Sequence, residues 1–145
     1  MTTTRVSRLI QAPIESVFET VAHIENFERV APDIIRIEFL SENKTGVGAR
    51  FRETRRMGKR EASTELEVTE YVPNERIRIV ADQGGTIWDS VFTVEARPSG
   101  EVELVMVMEA RAYRFLAKIM NPLIKGMIRK AIEKDLEAVK AHCES

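Results

Sequence analysis

Between Ile34 and Ala110 apolar residues recur at every second position, and the run is interrupted at Asn43 to Gly48, Gly58-Lys59, Pro73-Asn74, Gly84-Gly85 and Pro98-Ser99-Gly100. Period two bounded by Gly, Pro, Asn and Ser is the pattern of strands joined by tight turns, so this stretch predicts six consecutive antiparallel strands. A two-residue turn fixes which residues stand opposite each other, and a slip of one position would move every side chain to the other face. The registers can therefore be checked against one another. With Gly58-Lys59 as a turn, Arg56, Arg52 and Arg50 face Glu61, Glu65 and Glu67, while Phe51 faces Leu66 and Ala49 faces Val68. With Pro73-Asn74 as a turn, Val68 faces Ile79; with Gly84-Gly85, Ala81, Ile79 and Ile77 face Trp88, Ser90 and Phe92. In the last hairpin Trp88, Ser90, Phe92 and Val94 share parity with Val102, Leu104, Met106 and Met108. One mostly apolar face and one ionic face persist across independent turns, which is the consistency that specifies a single sheet.

The flanks change period. Residues 5–11 predict a first strand ended by Ala12-Pro13. Ile14, Val17, Phe18, Val21 and Ile24 then line one face of a helix, with Pro13 in its first position and Glu15 and Glu19 near its positive end. A short second helix carries Phe27 and Val30 and stops at Pro32. The segment from Tyr113 to His142 is helical and would span about 40 Å. Pro122 either kinks it or opens a new helix capped by Asn121, and the capping preferences favour the second arrangement. Leu123, Ile124, Met127 and Ile128 form a broader apolar arc than Ile132, Leu136 and Val139, so the first half is expected to be the more buried.

The 145 residues carry 22 basic and 23 acidic side chains and 43% apolar residues, the balance of one globular domain over residues 1–145. The longest apolar run, Leu104 to Met108, is far too short for a membrane span. Cys143 stands alone, which excludes an internal disulfide, and the start of the chain lacks an apolar signal region, so a cytoplasmic location is expected. No zinc-ligand spacing, phosphate loop or dinucleotide pattern occurs; no metal and no cofactor is expected. The basic run Arg50, Arg52, Arg55, Arg56, Lys59 and Arg60 resembles a nucleic-acid patch only on a charge count, because three of its arginines face glutamates. Nucleic acid is not expected as a partner. Lys59 and Arg60 remain unpaired at the hairpin tip, and Lys118, Lys125, Arg129 and Lys130 read as the solvated side of the last helix. His23, one turn beyond Glu19, and His142 have no nucleophile or metal-ligand partner at a recognisable spacing.

A strand, two short helices, a six-strand meander and a long terminal helix resemble the helix-grip fold of the START-related SRPBCC superfamily, to which the birch-pollen-allergen-like proteins belong. The resemblance is carried by 10–18 (IQAPIESVF), Gly46-Val47-Gly48, 68–73 (VTEYVP), 88–92 (WDSVF) and 136–140 (LEAVK), and the pattern is most similar to the polyketide cyclase/dehydrase subgroup. It implies an α+β fold in which a seven-stranded curved antiparallel sheet wraps the C-terminal helix, with two short helices between strands one and two. It further implies a largely apolar cavity between sheet and helix. The register reading selects the side chains that would line it: Phe51, Glu53, Arg55, Thr64, Leu66, Ile77, Ile79, Trp88, Ser90, Phe92, Leu104, Met106 and Met108 from the sheet, and Leu123 and Met127 from the helix. Most of the aliphatics would serve as core in any sheet curved over a helix.

The polar members carry more information. A charge aimed into an apolar interior is costly unless paired or hydrated, so Glu53 and Arg55 imply a wet cavity, its mouth, or a strand that bends to bulk water near Gly58. As catalytic candidates, Arg55 would hold a developing oxyanion and Glu53 accept a proton. Trp88 offers a flat wall with one N–H donor, and Met106 and Met108 a deformable one. The leading expectation is a carrier or sensor of a hydrophobic small molecule such as a lipid, sterol, quinone or polyketide. A cofactor-independent polyketide cyclase/aromatase is the first alternative, and a ribosome- or protein-associating toxin of the same superfamily the second. The oligomeric state stays open, a homodimer included.

Overall fold

The computed structural model describes residues 1–145. Strand β1 (Thr2–Ile10) leads through helices α1 (Ile14–Ala22) and α2 (Ile24–Val30) into β2 (Ile34–Phe39), β3 (Arg50–Met57), β4 (Arg60–Val72), β5 (Arg76–Gln83), β6 (Thr86–Ala96) and β7 (Val102–Ala112), followed by helix α3 (Phe115–Glu144). The strands form one antiparallel sheet in the order β1-β7-β6-β5-β4-β3-β2. A seven-stranded sheet holding a long C-terminal helix is the expected helix-grip architecture. The first strand begins three residues earlier than its sequence pattern suggests, because Thr2 and Thr3 extend the ladder opposite Ala110 and Glu109. Pro13 stands just outside α1, at the cap, with Val17 N–H donating to its carbonyl at 3.2 Å.

The hairpin registers hold. Arg50, Arg52 and Arg56 stand opposite Glu67, Glu65 and Glu61; Ala81, Ile79 and Ile77 oppose Trp88, Ser90 and Phe92; Phe92 and Val94 oppose Met106 and Leu104. At β4–β5 the agreement has an unexpected origin. Val72 pairs with Arg76, so the turn contains three residues, with Asn74 at φ 59° and Glu75 N–H donating to Val72 O at 3.0 Å, the pattern of a type II turn with Pro73 at its second position. A bulge between Val68 and Glu70 absorbs the added residue, and Val68 still meets Ile79. Beyond the bulge Tyr71 turns inward, edge-on to Phe18 at 5.5 Å between ring centres, with its hydroxyl 3.1 Å from His23 Nε2.

The core gathers where α1 and the second half of α3 close on the sheet. Ile10, Val17, Phe51, Ile77, Leu104, Leu136 and Val139 are completely enclosed there. Helix α3 packs chiefly on β1 and β7, and it corrects two expectations. It runs unbroken through Pro122, and Asn121 caps nothing: its side-chain amide donates to Thr86 Oγ1 at 3.1 Å. Its second half is the buried one, through Ile132, Asp135, Leu136 and Val139, while Leu123 and Met127 lie outside, 74% and 53% exposed. The first half has more apolar residues than one face can bury, and the surplus faces solvent. Entry into α3 is held by Gly84-Gly85: the Tyr113 N–H donates to Gly85 O at 2.9 Å, and a Cβ on Gly85, at φ 83°, would lie 2.7 Å from Arg114 Cβ.

The outer face of the sheet is an ionic ladder. Arg52 meets Glu65 at 2.8 Å, and Arg78 and Arg111 both reach the nearly buried Asp89, at 2.6 and 3.1 Å. The hydrogen bond from Arg78 holds the Asp89 carboxyl below the ordinary aspartate range, partly offset by burial and reinforced by Arg111. A depressed carboxylate stabilises the fold above its unfolded-state pKa, and that contribution is lost as pH falls through the folded value. Asp89→Asn is therefore expected to cost about 1 kcal/mol at neutral pH, its arginine partners being partly exposed and screened. It should also flatten the loss of stability below the ordinary aspartate range, as read from urea midpoints along a pH series.

Candidate functional site

The inner face of the sheet is packed at one end and loose at the other. Phe51, Ile77, Ile79, Phe92, Leu104 and Met106 are buried in the core, and Ser90 is buried among them. Further along the same face Thr64, Leu66, Trp88 and Met108 are only half-buried. Across from Trp88 and Met108 stand Asn121, Lys125 and Ile128 of α3, which with Thr2, Thr4 and Ala110 enclose a space of about 10 Å³. Trp88 directs its indole N–H to the carbonyl of Gln83 at 3.4 Å. The helix thus faces the sheet with 121, 124 and 128 rather than with the expected Leu123 and Met127. A wider recess of about 190 Å³ lies on the opposite, outer face, but its walls are the Arg78, Asp89, Glu70 and Glu109 ladder, whose charges satisfy one another.

Alternation along β3 turns Phe51, Glu53 and Arg55 inward. Arg55 and Glu53 share a short Nε-to-carboxylate hydrogen bond, and the same guanidinium takes Asp135 of α3 in a fork, at 2.8 and 3.4 Å. The three side chains are 21, 14 and 9% exposed, for Arg55, Glu53 and Asp135. The pairing answers why charges sit on an apolar face: they are neither at a hydrated rim nor unpartnered but locked together between sheet and helix. Burial works against the charge on Arg55, yet the fields of Glu53 and Asp135 overcome it and hold the guanidinium protonated more firmly than usual. Burial pushes the Asp135 carboxyl up; Arg55 opposes, and the negative fields of Glu53 and Asp33 add to the rise. Asp135 is therefore the carboxyl of the cluster disposed to take a proton.

As parts of the site, Asp135, Asn121 and Tyr71 escaped the sequence reading, Asn121 being expected only as a helix cap. For the first two a signal existed. Asp135 falls three residues after Ile132 and one before Leu136, inside the buried stripe of α3, and Asn121 lies on the line 117, 121, 124, 128. A polar residue at a core position of an amphipathic pattern marks a buried partner elsewhere. Tyr71 had none, because only the bulge turns it inward.

The family model described as polyketide cyclase/dehydrase and lipid transport matches residues 1–144. Among solved structures, the Zhui aromatase/cyclase from Streptomyces sp. R1128 superposes with a TM-score of 0.81 at 14% identity, over 99% of this chain and 93% of that one. The protein TTHA0849 from Thermus thermophilus gives 0.79 at 15% identity, over 97% and 95%. Ara h 8.0201 gives 0.70 at 13% identity, over 95% and 97%. At these identities the likeness is one of fold. No curated protein matches the sequence significantly.

Proposed function

The chain belongs to the polyketide cyclase/dehydrase and lipid transport family, and from that premise we propose that it binds a hydrophobic small molecule between the loose end of the sheet and the first half of α3. The observation that carries this reading is the gradient along one face. Leu66, Trp88 and Met108 continue the apolar surface of the core yet remain half-buried, and Trp88 and Met108 border the small space beneath the first half of α3. Organic ligands of ordinary size fill several hundred Å³. A space of about 10 Å³ therefore requires the first half of α3 to lift when a ligand enters. Trp88 supplies the flat wall, Met108 the adjustable one, and Arg55, forked to Asp135 of the helix, a polar stop.

A second reading is favoured by one feature, the guanidinium flanked by two carboxylates. Arg55 would hold an oxyanion while the proton-prone Asp135, or Glu53, moves the proton, which is the equipment for aldol-type cyclisation without a cofactor.

Freshly purified protein analysed by native mass spectrometry, together with melting scans against fatty acids, sterols, quinones and polyketide-like aromatics, tests the binding reading. One class should give a bound mass and raise the melting temperature; at about one hundred times its dissociation constant the stabilisation is about 2.7 kcal/mol. Leu66→Lys should abolish both signals and Leu66→Met retain them. No bound mass and no shift with any class would remove the reading. Turnover lost in Asp135→Asn, with ligand binding retained, would instead select the catalytic one.

A further inference from the structure

The wall of the small space beneath the first half of α3 is more polar than the filling of a core requires. Thr4, turned inward opposite Met108, is 4% exposed and Asn121 is 6% exposed, and both border the space. An amide side chain offers two donors and an acceptor, and Asn121 uses one N–H on Thr86 Oγ1 at 3.1 Å. Its remaining capacity and the Thr4 hydroxyl have no partner in the protein, although buried polar groups are as a rule satisfied. Lys125 closes the same wall, one turn beyond Asn121. No carboxylate stands within ion-pair distance of it. Strand β1 contains no acidic residue, and none occurs between Tyr113 and Ile132. Asp89 and Glu109, the acids next in sequence to Trp88 and Ala110, alternate to the outer face, where Arg78 and Arg111 hold them. The interior beneath α3 thus has an unbalanced cation at Lys125, whereas Arg55 is already committed to Glu53 and Asp135.

We propose that Lys125, Thr4 and Asn121 form the head-group site of the cleft and that the ligand is a hydrophobic monocarboxylate. This inference rests on the ligand reading above and narrows it to one chemical class. A single lysine balances one negative charge, which a carboxylate carries and a phosphate monoester exceeds. The Lys125 ammonium, the Thr4 hydroxyl and the second Asn121 N–H are donors on one small space, and an ionised carboxylate is a pure acceptor with room for all of them. Charge-assisted hydrogen bonds of this kind are roughly twice as strong as neutral ones. A sterol or quinone, bringing only a hydroxyl or a carbonyl, would leave the cation without a counter-charge. Arg55 is the poorer anchor for an anion, because two carboxylates already surround it and a third would meet their repulsion. The tail has a surface beside the head group. Trp88 is flanked on the neighbouring strands by Ala81 and Ala110, whose methyl groups are too short to cover its ring.

The test is titration calorimetry of the full chain with two matched pairs, dodecanoate against dodecanol and naphthoate against naphthalenemethanol, at neutral pH. At least one acid is expected to bind about tenfold more tightly than its alcohol. Lys125→Gln should remove that advantage and leave the alcohol unchanged, and Lys125→Arg should keep it. Lys130→Gln, which removes an exposed lysine from another side of the helix, should alter neither affinity. All three variants change exposed positions, and an unchanged melting temperature without ligand confirms that they fold. Equal binding of acid and alcohol, or an acid advantage that survives Lys125→Gln, overturns the proposal and leaves the ligand reading standing. A sterol or quinone that binds while both acids fail does the same. Silence from all four probes, and from sterols and quinones as well, removes the ligand reading and this inference with it.

Discussion

Arg55→Met is expected to lower the free energy of unfolding by about 3–5 kcal/mol, read as a fall in the urea midpoint with an unchanged slope. The loss does not measure the strength of the ion pairs. It arises because Asp135 and Glu53, both largely buried, are left facing an apolar side chain with no cation. Removing the carboxylates as well, with Asp135→Leu and Glu53→Met, should restore most of the stability, since well-packed apolar groups replace buried ion pairs at little cost. A loss under about 1 kcal/mol in the single variant would mean that water reaches the cluster and that its charges are screened as at a surface. The pH dependence carries a separate signature. Burial, with Glu53 and Asp33, raises the Asp135 carboxyl against the pull of Arg55, so the folded state binds that proton more tightly than the unfolded chain. Stability from this group is present below the unfolded aspartate value and is lost as pH rises through the folded one. Without Arg55 the rise grows, so the variant should be closer to wild type near pH 5 than near pH 7.5. That difference is absent from a role in packing alone.

The two halves of α3 are expected to respond oppositely to comparable changes. Leu136→Ala, at a site with 1% exposure beside the enclosed Val139, should cost about 2–5 kcal/mol through lost transfer energy and the cavity left behind. Leu123→Ala, on the solvent side, should fall within about 0.5 kcal/mol of wild type. Hydrogen exchange extends the comparison along the helix. Ile132, Leu136 and Val139 anchor the second half, whereas the first is held by Ala117, Asn121 and the Gly85 contact, and Pro122 withholds one intrahelical hydrogen bond. Amides around 116–126 should exchange well before those around 132–142. Uniform protection along α3 would exclude the lifting motion on which ligand entry depends.

These contrasts also mark what could be read from residues alone. The sheet was legible because its hairpins constrain one another: Arg52 opposite Glu65 and Ile79 opposite Ser90 are separate statements that had to agree. Helix α3 was legible in extent but not in orientation. An arc that includes Leu116, Ile119, Leu123, Ile124, Met127 and Ile128 is apolar on two sides, and periodicity does not say which side the sheet takes. Pro122 was over-read, since a proline in the first turns of a long helix removes one bond without ending it when the rest of the helix is packed. For the polar cluster, Glu53 and Arg55 were found by parity, while their third member lies 80 positions from Arg55 on another element, where pairing depends on how the helix settles across the sheet.

At unchanged chain length the three-residue turn and the bulge at Thr69 exist only together: closing the bulge would set Thr69 opposite Arg78 and shrink the turn to Pro73-Asn74. That register would turn Glu70 toward Phe18 and Tyr71 toward the arginines of the outer ladder, while Val68 stayed opposite Ile79. The inward position of the tyrosine is thus a product of the coupled pair of irregularities rather than of any preference of its own.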